Sequence, residues 1–286
     1  MVQPGHHGRV DRLVADMQRR EAAACSRGGC RLGGIACVLH IYRVCRCDRL
    51  SCWRGIRHHL RNRPVAGGTT ASKSYGMRRV HARDYDLKGP VVTALKTQDK
   101  ALAPLFETVG DLRVVGFDDP FLCLVFFVLN QQISLKAAKT LYARLLGEGF
   151  DTPETFRQAT QASLRALGIS TAKITCLQAV ATACYAPWFV QMENTSHERI
   201  ERELLSIRGL GVWTVSMFRM FYLLDEDVFT TGDLGLRHAL RLVLKQPAMS
   251  EADMVARSAR WRPYRSVVAH YLWAFREGSD SVMPIR

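Results

Sequence analysis

The chain has 286 residues, 48% of them hydrophobic, which is enough to bury a sizeable core in one large or two small domains. No apolar run approaches the roughly 18 residues of a membrane span, so a membrane-spanning helix is excluded and no membrane partner is expected. The net charge of +14 favours a nucleic-acid partner. However, residues 1–85 contain 17 of the 40 Lys and Arg but 5 of the 26 Asp and Glu. Most of the excess positive charge therefore belongs to that segment.

Residues 1–85 predict an Arg- and Cys-rich disordered extension rather than a domain. Glycine pairs recur, and neither helical nor alternating periodicity persists beyond a dozen residues. Six of the nine cysteines lie here: Cys25, Cys30, Cys37, Cys45, Cys47 and Cys52. The paired C-x-x-C spacing typical of zinc sites is missing, so we favour the disordered extension over a metal site. Met77 would be a natural alternative start of translation.

Residues 86–286 predict a body built from helices. A leucine-rich helical pattern over 96–109 stops at a glycine, and the helix that starts at Asp119-Pro120 is apolar nearly all round. Polar capping residues mark the further helix starts, at Asp151-Thr152, at Ser134 before 135–146, and at Ser170 after Gly168. Short polar links and the lack of a convincing strand favour an all-α fold. Three cysteines on apolar helix faces predict reduced core thiols: Cys123, Cys176 and Cys184.

Two glycines one residue apart, Gly209 and Gly211, separate two helical patterns within 204–222. Helices joined by so short a link must lie close together. Glycine permits positive φ and leaves no Cβ, so another backbone can approach closely, and the N–H groups that open the second helix stay uncovered. Such N–H groups at the positive end of a helix dipole favour phosphate.

Asp233 stands at or beside the N-cap of an apolar-periodic segment that begins at Leu234. In that position backbone donors hold its carboxylate. Three other acidic residues, 225–227, are nearer the hairpin, and we expect them to form a solvated surface run at a helix end. Arg265-Ser266 begins another helix and predicts either a phosphate contact or a packing contact.

The sequence Ile207-Arg208-Gly209-Leu210-Gly211-Val212-Trp213-Thr214, followed about twenty residues later by Asp233, resembles the helix-hairpin-helix (HhH-GPD) DNA glycosylases. Within that superfamily it is similar to the 3-methyladenine DNA glycosylase II branch, which excises alkylated purines. Three further stretches fit the branch in the same order: 128–145, 167–181 and 261–273. The resemblance covers roughly 95–280 and implies a two-lobed all-α fold with the active-site cleft between the lobes.

The resemblance implies that Asp233 is the catalytic residue. A fixed carboxylate stabilises the positive charge that develops on the sugar when an N-glycosidic bond breaks, and it can orient water. Bifunctional relatives place a lysine two residues after the second hairpin glycine, where this chain has Trp213. Tryptophan cannot form a Schiff base, so the resemblance implies a monofunctional enzyme that leaves an abasic site and an uncut strand.

In this branch aromatic residues line the base pocket, and the resemblance assigns Trp213 and Trp273 to it. An electron-poor alkylated base is attracted to an indole face. Met217 and Leu234 stand where some relatives have tyrosines, which implies a less aromatic pocket that either discriminates differently among lesions or is wider.

The resemblance also implies a DNA-binding surface. In related glycosylases the loop that corresponds to 131–134 enters the minor groove, and Gln132, with Ile133 beside it, is the candidate for the residue that fills the gap left by the flipped nucleotide. The predicted DNA contacts are Gln131, Gln132, Ile133, Ser134, Gly209, Leu210, Gly211 and Thr214.

No cofactor is expected. The resemblance implies that one Na⁺ or K⁺ is held at the hairpin by the backbone carbonyls of Leu205, Ile207 and Gly209, with no side-chain metal ligand. The expected partner is double-stranded DNA with damaged bases, bound by a monomer. Such an enzyme belongs in the nucleoid of a bacterial cytoplasm or in a eukaryotic nucleus.

Two other functions stay open at this level. Hairpins of this kind also serve as non-catalytic phosphate clamps, although a clamp has no need for Asp233 or Trp213 at this spacing. A glycosylase for other damaged or mismatched bases would share the same motifs.

Overall fold

The structure of the protein is a computed structural model that describes residues 82–277. The predicted extension lies outside these residues apart from its last four, and so do the six cysteines at 25–52. Within 82–277 there are three short 3-10 helices, at Lys100–Leu102, Met192–Asn194 and Ala259–Trp261. The other elements are two strands and thirteen α-helices: β1 Ala82–Tyr85, α1 Pro90–Gln98, α2 Ala103–Val109, β2 Leu112–Val115, α3 Pro120–Asn130, α4 Leu135–Gly147, α5 Pro153–Gln158, α6 Gln161–Ala166, α7 Thr171–Ala183, α8 Pro187–Val190, α9 His197–Leu205, α10 Val212–Phe221, α11 Leu234–Val243, α12 Glu251–Ser258 and α13 Arg265–Glu277.

The two short strands form an antiparallel ribbon in which Ala82 faces Val115 and Tyr85 faces Leu112. No strand was expected from the sequence, and residues 82–85 were assigned to the extension. Four residues are too few to display a two-residue periodicity, so this ribbon depends on contacts made elsewhere. The hydroxyl of Tyr271 on α13 donates to the carbonyls of Tyr85 and Gly110, at distances of 3.3 and 3.0 Å, and ties the ribbon to the helices.

The predicted helix starts are confirmed by the capping geometry. The side chains of Asp119, Ser134 and Ser170 each accept a hydrogen bond from the backbone N–H three residues further on, at the starts of α3, α4 and α7. Gly110 ends α2 at a φ of 78°. These local signals were sufficient because both partners of a cap lie within one turn of sequence.

One predicted helix, over 96–109, is divided in the structure by Asp99. Its backbone is extended, with a φ of −145° and a ψ of 91°, and its carboxylate accepts hydrogen bonds from the Arg257 guanidinium at 2.5 and 2.6 Å and from the Trp261 indole at 2.9 Å. Burial raises the pKa of Asp99, but the hydrogen bonds from Arg257 and Trp261 outweigh this effect and hold it below its usual range. A partner about 160 residues away therefore decided where the helix breaks.

The described residues form two lobes. The middle of the chain makes one lobe, in which α3 packs against α4, α7 and α10, and α7 packs against α5. The two ends of the described chain meet in the other lobe, where α13 packs against α2 and α11. This arrangement confirms the expected two-lobed, mainly helical fold, and a cleft lies between the lobes. None of the helices between 82 and 277 combines the length and apolar character of a membrane span.

The acidic run 225–227 is not the solvated surface that was expected. Asp225 pairs with Arg219 at 2.7 Å, and Asp227 pairs with Arg265 at 2.6 Å. The Ser266 hydroxyl exchanges hydrogen bonds with the backbone of Val228 at 2.8 and 3.1 Å. The run therefore connects α10 to the start of α13, and Arg265-Ser266 makes a packing contact.

The three cysteines of the described region are buried free thiols, as predicted. Burial raises the pKa of Cys176 to about 11 and the pKa of Cys184 further. Thiols held in the protonated form are poor nucleophiles, so these residues belong to the core.

Candidate active site and DNA-binding surface

A cleft of about 920 Å³ lies between the lobes and collects almost all the residues singled out in the sequence. It is lined by α3, the loop 131–134, the hairpin glycines, α10, the first turn of α11 and α13. Of its lining residues, two carry an ionisable side chain, Asp233 and Arg276. The rest of the lining is aromatic, aliphatic, amide, hydroxyl or glycine, together with the thioether of Met217.

Asp233 is the N-cap of α11 and its carboxylate has three hydrogen-bond donors. Oδ1 accepts the backbone N–H of Leu236 at 2.8 Å and the indole N–H of Trp273 at 3.3 Å. Oδ2 accepts the indole N–H of Trp213 at 2.9 Å. The prediction of a capping aspartate is confirmed. The half-buried carboxylate is fixed on both oxygens, and it lines the cleft together with the hairpin glycines.

The cleft floor is a connected group of aromatic rings. Phe127 contacts Trp213 edge to face at 6.2 Å between centroids and Phe221 at 5.4 Å, and Phe221 in turn lies 5.7 Å from Trp273. Each indole thus has two functions at once, since its ring lines the cleft while its N–H holds Asp233. The ring surfaces were expected from the sequence, whereas the N–H contacts were not.

Met217 and Leu234, the two departures from the aromatic pattern, occupy different places in the cleft. Met217 is buried on α10 and contributes to the floor. Leu234 is 71% exposed and stands at the mouth, directly after the carboxylate-bearing residue. An incoming base would therefore meet a flexible thioether below and an aliphatic side chain at the rim.

The loop between α3 and α4 is held from two sides. The Gln131 amide donates to the Gly209 carbonyl at 3.1 Å and to the Thr214 hydroxyl at 3.0 Å. The Lys173 ammonium donates to the Leu129 carbonyl at 2.7 Å, at the C-terminal end of α3. The Gln131 amide nitrogen and the Thr214 hydroxyl therefore tie the loop to the hairpin, while both residues still line the cleft.

The tip of the loop is exposed and strained. Gln132 has a φ of 57°, a left-handed conformation that is uncommon outside glycine. Its neighbours Ile133 and Ser134 are also exposed, and all three line the cleft mouth. A side chain kept in an unfavourable backbone conformation at the mouth of a cleft is typical of a functional position.

The two hairpin glycines are needed for different reasons. Gly209 has a φ of 99°, and a Cβ there would lie 2.8 Å from the Cβ of Cys176 on α7. A Cβ on Gly211 would meet no atom within 4 Å, so the outer face of this glycine is open. Leu210 between them is 5% exposed and packs into the core, which removes its side chain from the predicted DNA contacts.

The carbonyls predicted to hold a cation have the right chemistry, since backbone oxygens suit Na⁺ and K⁺. The carbonyl of Ile207 accepts the N–H of Leu210 at 3.0 Å, and that of Gly209 accepts the Gln131 amide. Each oxygen keeps a second lone pair, so a cation is compatible with both hydrogen bonds. Within 82–277 no group of three or more His, Cys, Asp or Glu side chains is placed to bind a metal ion.

Two residues at the cleft were not predicted from the sequence. Arg276 lines it from the last turn of α13, and His270 lies behind it, with ring centroids 5.2 Å from Phe221 and 5.7 Å from Trp273. Burial lowers the pKa of His270 to about 3, and its Nδ1 has no hydrogen-bond partner among the described residues. On α13, His270 follows Ser266 by four residues and Trp273 follows His270 by three. These spacings place the three residues on one helix face, and this periodicity is the sequence signal that could have indicated His270.

A two-lobed helical body with a glycine hairpin, a capping aspartate and an aromatic cleft is the architecture of helix-hairpin-helix base-excision proteins. The family profile described as "HhH-GPD superfamily base excision DNA repair protein" matches residues 125–263. DNA-3-methyladenine glycosylase 1 of Schizosaccharomyces pombe is 30% identical over 221 residues, which cover 71% of this chain and 97% of that protein. The chain therefore belongs to the HhH-GPD superfamily, as the motifs predicted.

Solved structures agree with this assignment. A DNA-3-methyladenine glycosidase from Bacillus halodurans matches with a TM-score of 0.58 and 28% identity, over 71% of this chain and 96% of that one. The S. pombe 3-methyladenine DNA glycosylase in complex with abasic DNA matches with a TM-score of 0.61 and 29% identity, over 65% of this chain and 96% of that one. Both relatives are named for the chemistry that the motifs implied.

Proposed function

We propose that this protein is a monofunctional DNA glycosylase that flips alkylated purines of the 3-methyladenine type out of duplex DNA and hydrolyses the N-glycosidic bond. The observation that carries the proposal is the carboxylate of Asp233, held by two indole N–H groups at the edge of an aromatic cleft. The product is an abasic site in an uncut strand, the first intermediate of base excision repair.

The cleft has the chemistry for leaving groups that are already cationic. Alkylation at N3 or N7 gives the purine a positive charge, so departure needs little help from a general acid. Among the residues that line the cleft, Asp233 is the single carboxyl group, which suits this requirement. Its negative charge stabilises the oxocarbenium character of the deoxyribose, and its oxygens can orient the attacking water.

The lining also supports a monofunctional reaction. No lysine is among the cleft residues, and the position that carries the nucleophilic lysine in bifunctional relatives holds Trp213, whose nitrogen donates to Asp233. Without an amine to attack the sugar, the intermediate is captured by water. Borohydride should therefore trap no covalent protein–DNA adduct.

The cleft aromatics supply the recognition of the base. Trp213, Trp273, Phe127 and Phe221 present π surfaces to an electron-poor ring, an attraction of about 0.5–2 kcal/mol per contact. Met217 and Leu234 make the pocket less aromatic than in relatives with tyrosines, so it discriminates among lesions by shape more than by stacking.

DNA is bound through the loop tip and the hairpin. Gln132, exposed and held at positive φ, fills the gap in the stack, with Ile133 beside it. The open face at Gly211 lets a phosphate reach the N–H groups at the start of α10. A Na⁺ or K⁺ on the carbonyls of Leu205, Ile207 and Gly209 would add positive charge beside that phosphate.

We further propose that the protein acts as a monomer on damaged duplex DNA. The proposed localisation is accordingly with the genomic DNA, in the nucleoid of a bacterial cell or in a eukaryotic nucleus.

The test is release of bases from duplexes that contain 3-methyladenine, 7-methylguanine, hypoxanthine or ethenoadenine. We expect the two methylated purines to be released and the strand to break only after hot alkali. Asp233→Asn should lower the rate of base release by about 100-fold or more. Other enzymes lose a comparable factor when one group that stabilises the charge of the transition state is removed. Asp119→Asn is the matched control, because Asp119 caps α3 in the same way but lies outside the cleft.

The other outcomes are distinct. Duplex binding without release of any base would favour the non-catalytic clamp. Release of hypoxanthine or ethenoadenine without the methylated purines would favour a glycosylase of another specificity. An unchanged rate in Asp233→Asn would overturn the catalytic assignment.

A further inference from the structure

Arg276 stands beside the carboxylate of Asp233, in a space that exists because residue 235 is glycine. A Cβ on Gly235 would lie 2.9 Å from the Nη1 of Arg276 and 3.0 Å from the Oδ1 of Asp233. The guanidinium therefore lies across the first turn of α11, next to the catalytic group. Any larger residue at 235 would compete with it for this position.

The charge of Arg276 has no ion-pair partner among the side chains described between 82 and 276. Asp233 forms no ion pair with it, and the hydrogen bonds to the Asp233 oxygens come from Leu236, Trp213 and Trp273. Some arginines of the same lobes are paired, for example Arg257 with Asp99 and Arg265 with Asp227, whereas Arg276 is exposed to solvent at the cleft. A guanidinium left unpaired beside the reactive carboxylate is available to a ligand.

The reaction assigned to the cleft makes an unpaired cation in this position a disadvantage. Positive charge develops on the deoxyribose as the base leaves, and a bare guanidinium nearby would oppose it. An anion bound to Arg276 removes this opposition. DNA brings one kind of anion to the cleft, the phosphodiester, and a phosphodiester is attached to the same sugar.

We propose that Arg276 binds a phosphate of the flipped nucleotide and that Gly235 is the residue that makes room for this contact. The proposal rests on the proposed function, because it takes the cleft to hold an extruded nucleotide. The planar fork of arginine suits two phosphate oxygens, and the pairing is charge-assisted. Arg276 is then a binding residue that anchors the sugar against Asp233 and neutralises its own charge in the same contact.

The first test measures binding to a duplex with a tetrahydrofuran abasic analogue, which needs no chemistry. Arg276→Gln should weaken binding by about tenfold, the effect of losing one charge-assisted contact. The plot of log K against log salt concentration has a negative slope, and its magnitude should decrease by about 1, the value for one lost phosphate contact. Arg276→Lys should recover most of the slope, because it keeps the charge, and less of the affinity, because it loses the fork.

The matched control is Arg113→Gln, which removes an exposed arginine on β2 outside the cleft. We expect a much smaller change in slope for this variant. An equal change in both variants would mean that Arg276 acts through the overall charge of the protein, and the proposal would be wrong.

The second test locates the phosphate. Duplexes carry a neutral methylphosphonate in place of the phosphate on the 5′ or on the 3′ side of the abasic analogue. One of the two should weaken binding by the wild-type protein and have little further effect on Arg276→Gln. Independent, additive losses at both positions would overturn the proposal.

Failure of this proposal is distinguishable from failure of the proposed function. If the wild-type protein releases methylated purines but Arg276→Gln binds with unchanged affinity and slope, the glycosylase assignment stands and the phosphate contact does not. Gly235→Ala gives an independent check, since it should reproduce the weaker binding with the arginine still present. Circular dichroism and the unfolding midpoint establish that each variant is folded.

Discussion

The indole nitrogen of Trp213 lies 2.9 Å from Oδ2 of Asp233, twenty residues further along the chain. The contact joins the second helix of the hairpin to the cap of α11. Since Trp273 donates to the other carboxylate oxygen, two helices from different parts of the chain orient one carboxylate. The aromatic residues of this cleft therefore position the carboxylate in addition to presenting ring surfaces to a base.

Trp213→Phe keeps an aromatic ring and removes the N–H. We expect the single-turnover rate of base release to fall by about tenfold, because one hydrogen bond to a charged group is lost, while affinity for abasic duplex stays near that of the wild type. Trp188→Phe is the control, since Trp188 lies on α8 outside the cleft. A wild-type rate in Trp213→Phe would show that the N–H contact has no part in the reaction.

The hairpin glycines should separate stability from DNA binding. Gly209→Ala must adopt a φ near 99° and press on Cys176, so we expect a loss of about 1–3 kcal/mol in the free energy of unfolding, measured with urea. Gly211→Ala has open space and should unfold like the wild type but bind duplex more weakly, because its methyl group covers the phosphate approach. If both variants were less stable but bound duplex DNA with unchanged affinity, the open face of the hairpin would not be a DNA contact.

Gln132→Ala should weaken binding to lesion-containing duplex by about tenfold, because nothing then fills the gap where unstacking costs a few kcal/mol. Release of bases from single-stranded DNA should be unaffected, since no stack has to be held open. The comparison is Gln131→Ala, which breaks the contacts to Gly209 and Thr214 and should also lower thermal stability. An unchanged duplex affinity in Gln132→Ala would show that this residue does not fill the gap left by the flipped nucleotide.

His270 should make the protein sensitive to acid. Burial lowers the pKa of His270 from 6.5 to about 3, so the unfolded chain binds a proton at this residue between those values and the folded chain does not. The free energy of unfolding is therefore not reduced by His270 above pH 6.5. It decreases as the pH falls towards 3, by at most about 1.4 kcal/mol per pH unit. Urea unfolding at pH 7 and pH 5 measures the loss.

In His270→Phe the difference in stability between pH 7 and pH 5 should be smaller than in the wild type by up to about 2 kcal/mol. His238→Gln, at a more exposed position on α11, should leave the difference unchanged. Equal acid sensitivity in wild type and His270→Phe would mean that His270 is not the group responsible.

Much of the architecture was readable from the sequence because the relevant partners are neighbours along it. Caps at Asp119, Ser134 and Asp233, and the glycine that ends α2, each involve groups within one turn. The hairpin and the capping aspartate could be recognised for the same reason, and they led to the family and to its cleft. The β ribbon and the break at Asp99 escaped prediction, because Tyr271 and Arg257 act on them from more than 150 residues away.

The sequence by itself determined which residues are the candidates for the chemistry: a capping carboxylate, two tryptophans, a polar loop and a pair of glycines. Tertiary structure alone decided how these groups are used. It turned both indole nitrogens onto Asp233, paired Gln131 with the hairpin, buried Leu210 and brought Arg276 over Gly235. The physical reason is that a hydrogen bond or a charge contact depends on direction and distance across the cleft, and helical periodicity specifies only the face on which a side chain lies.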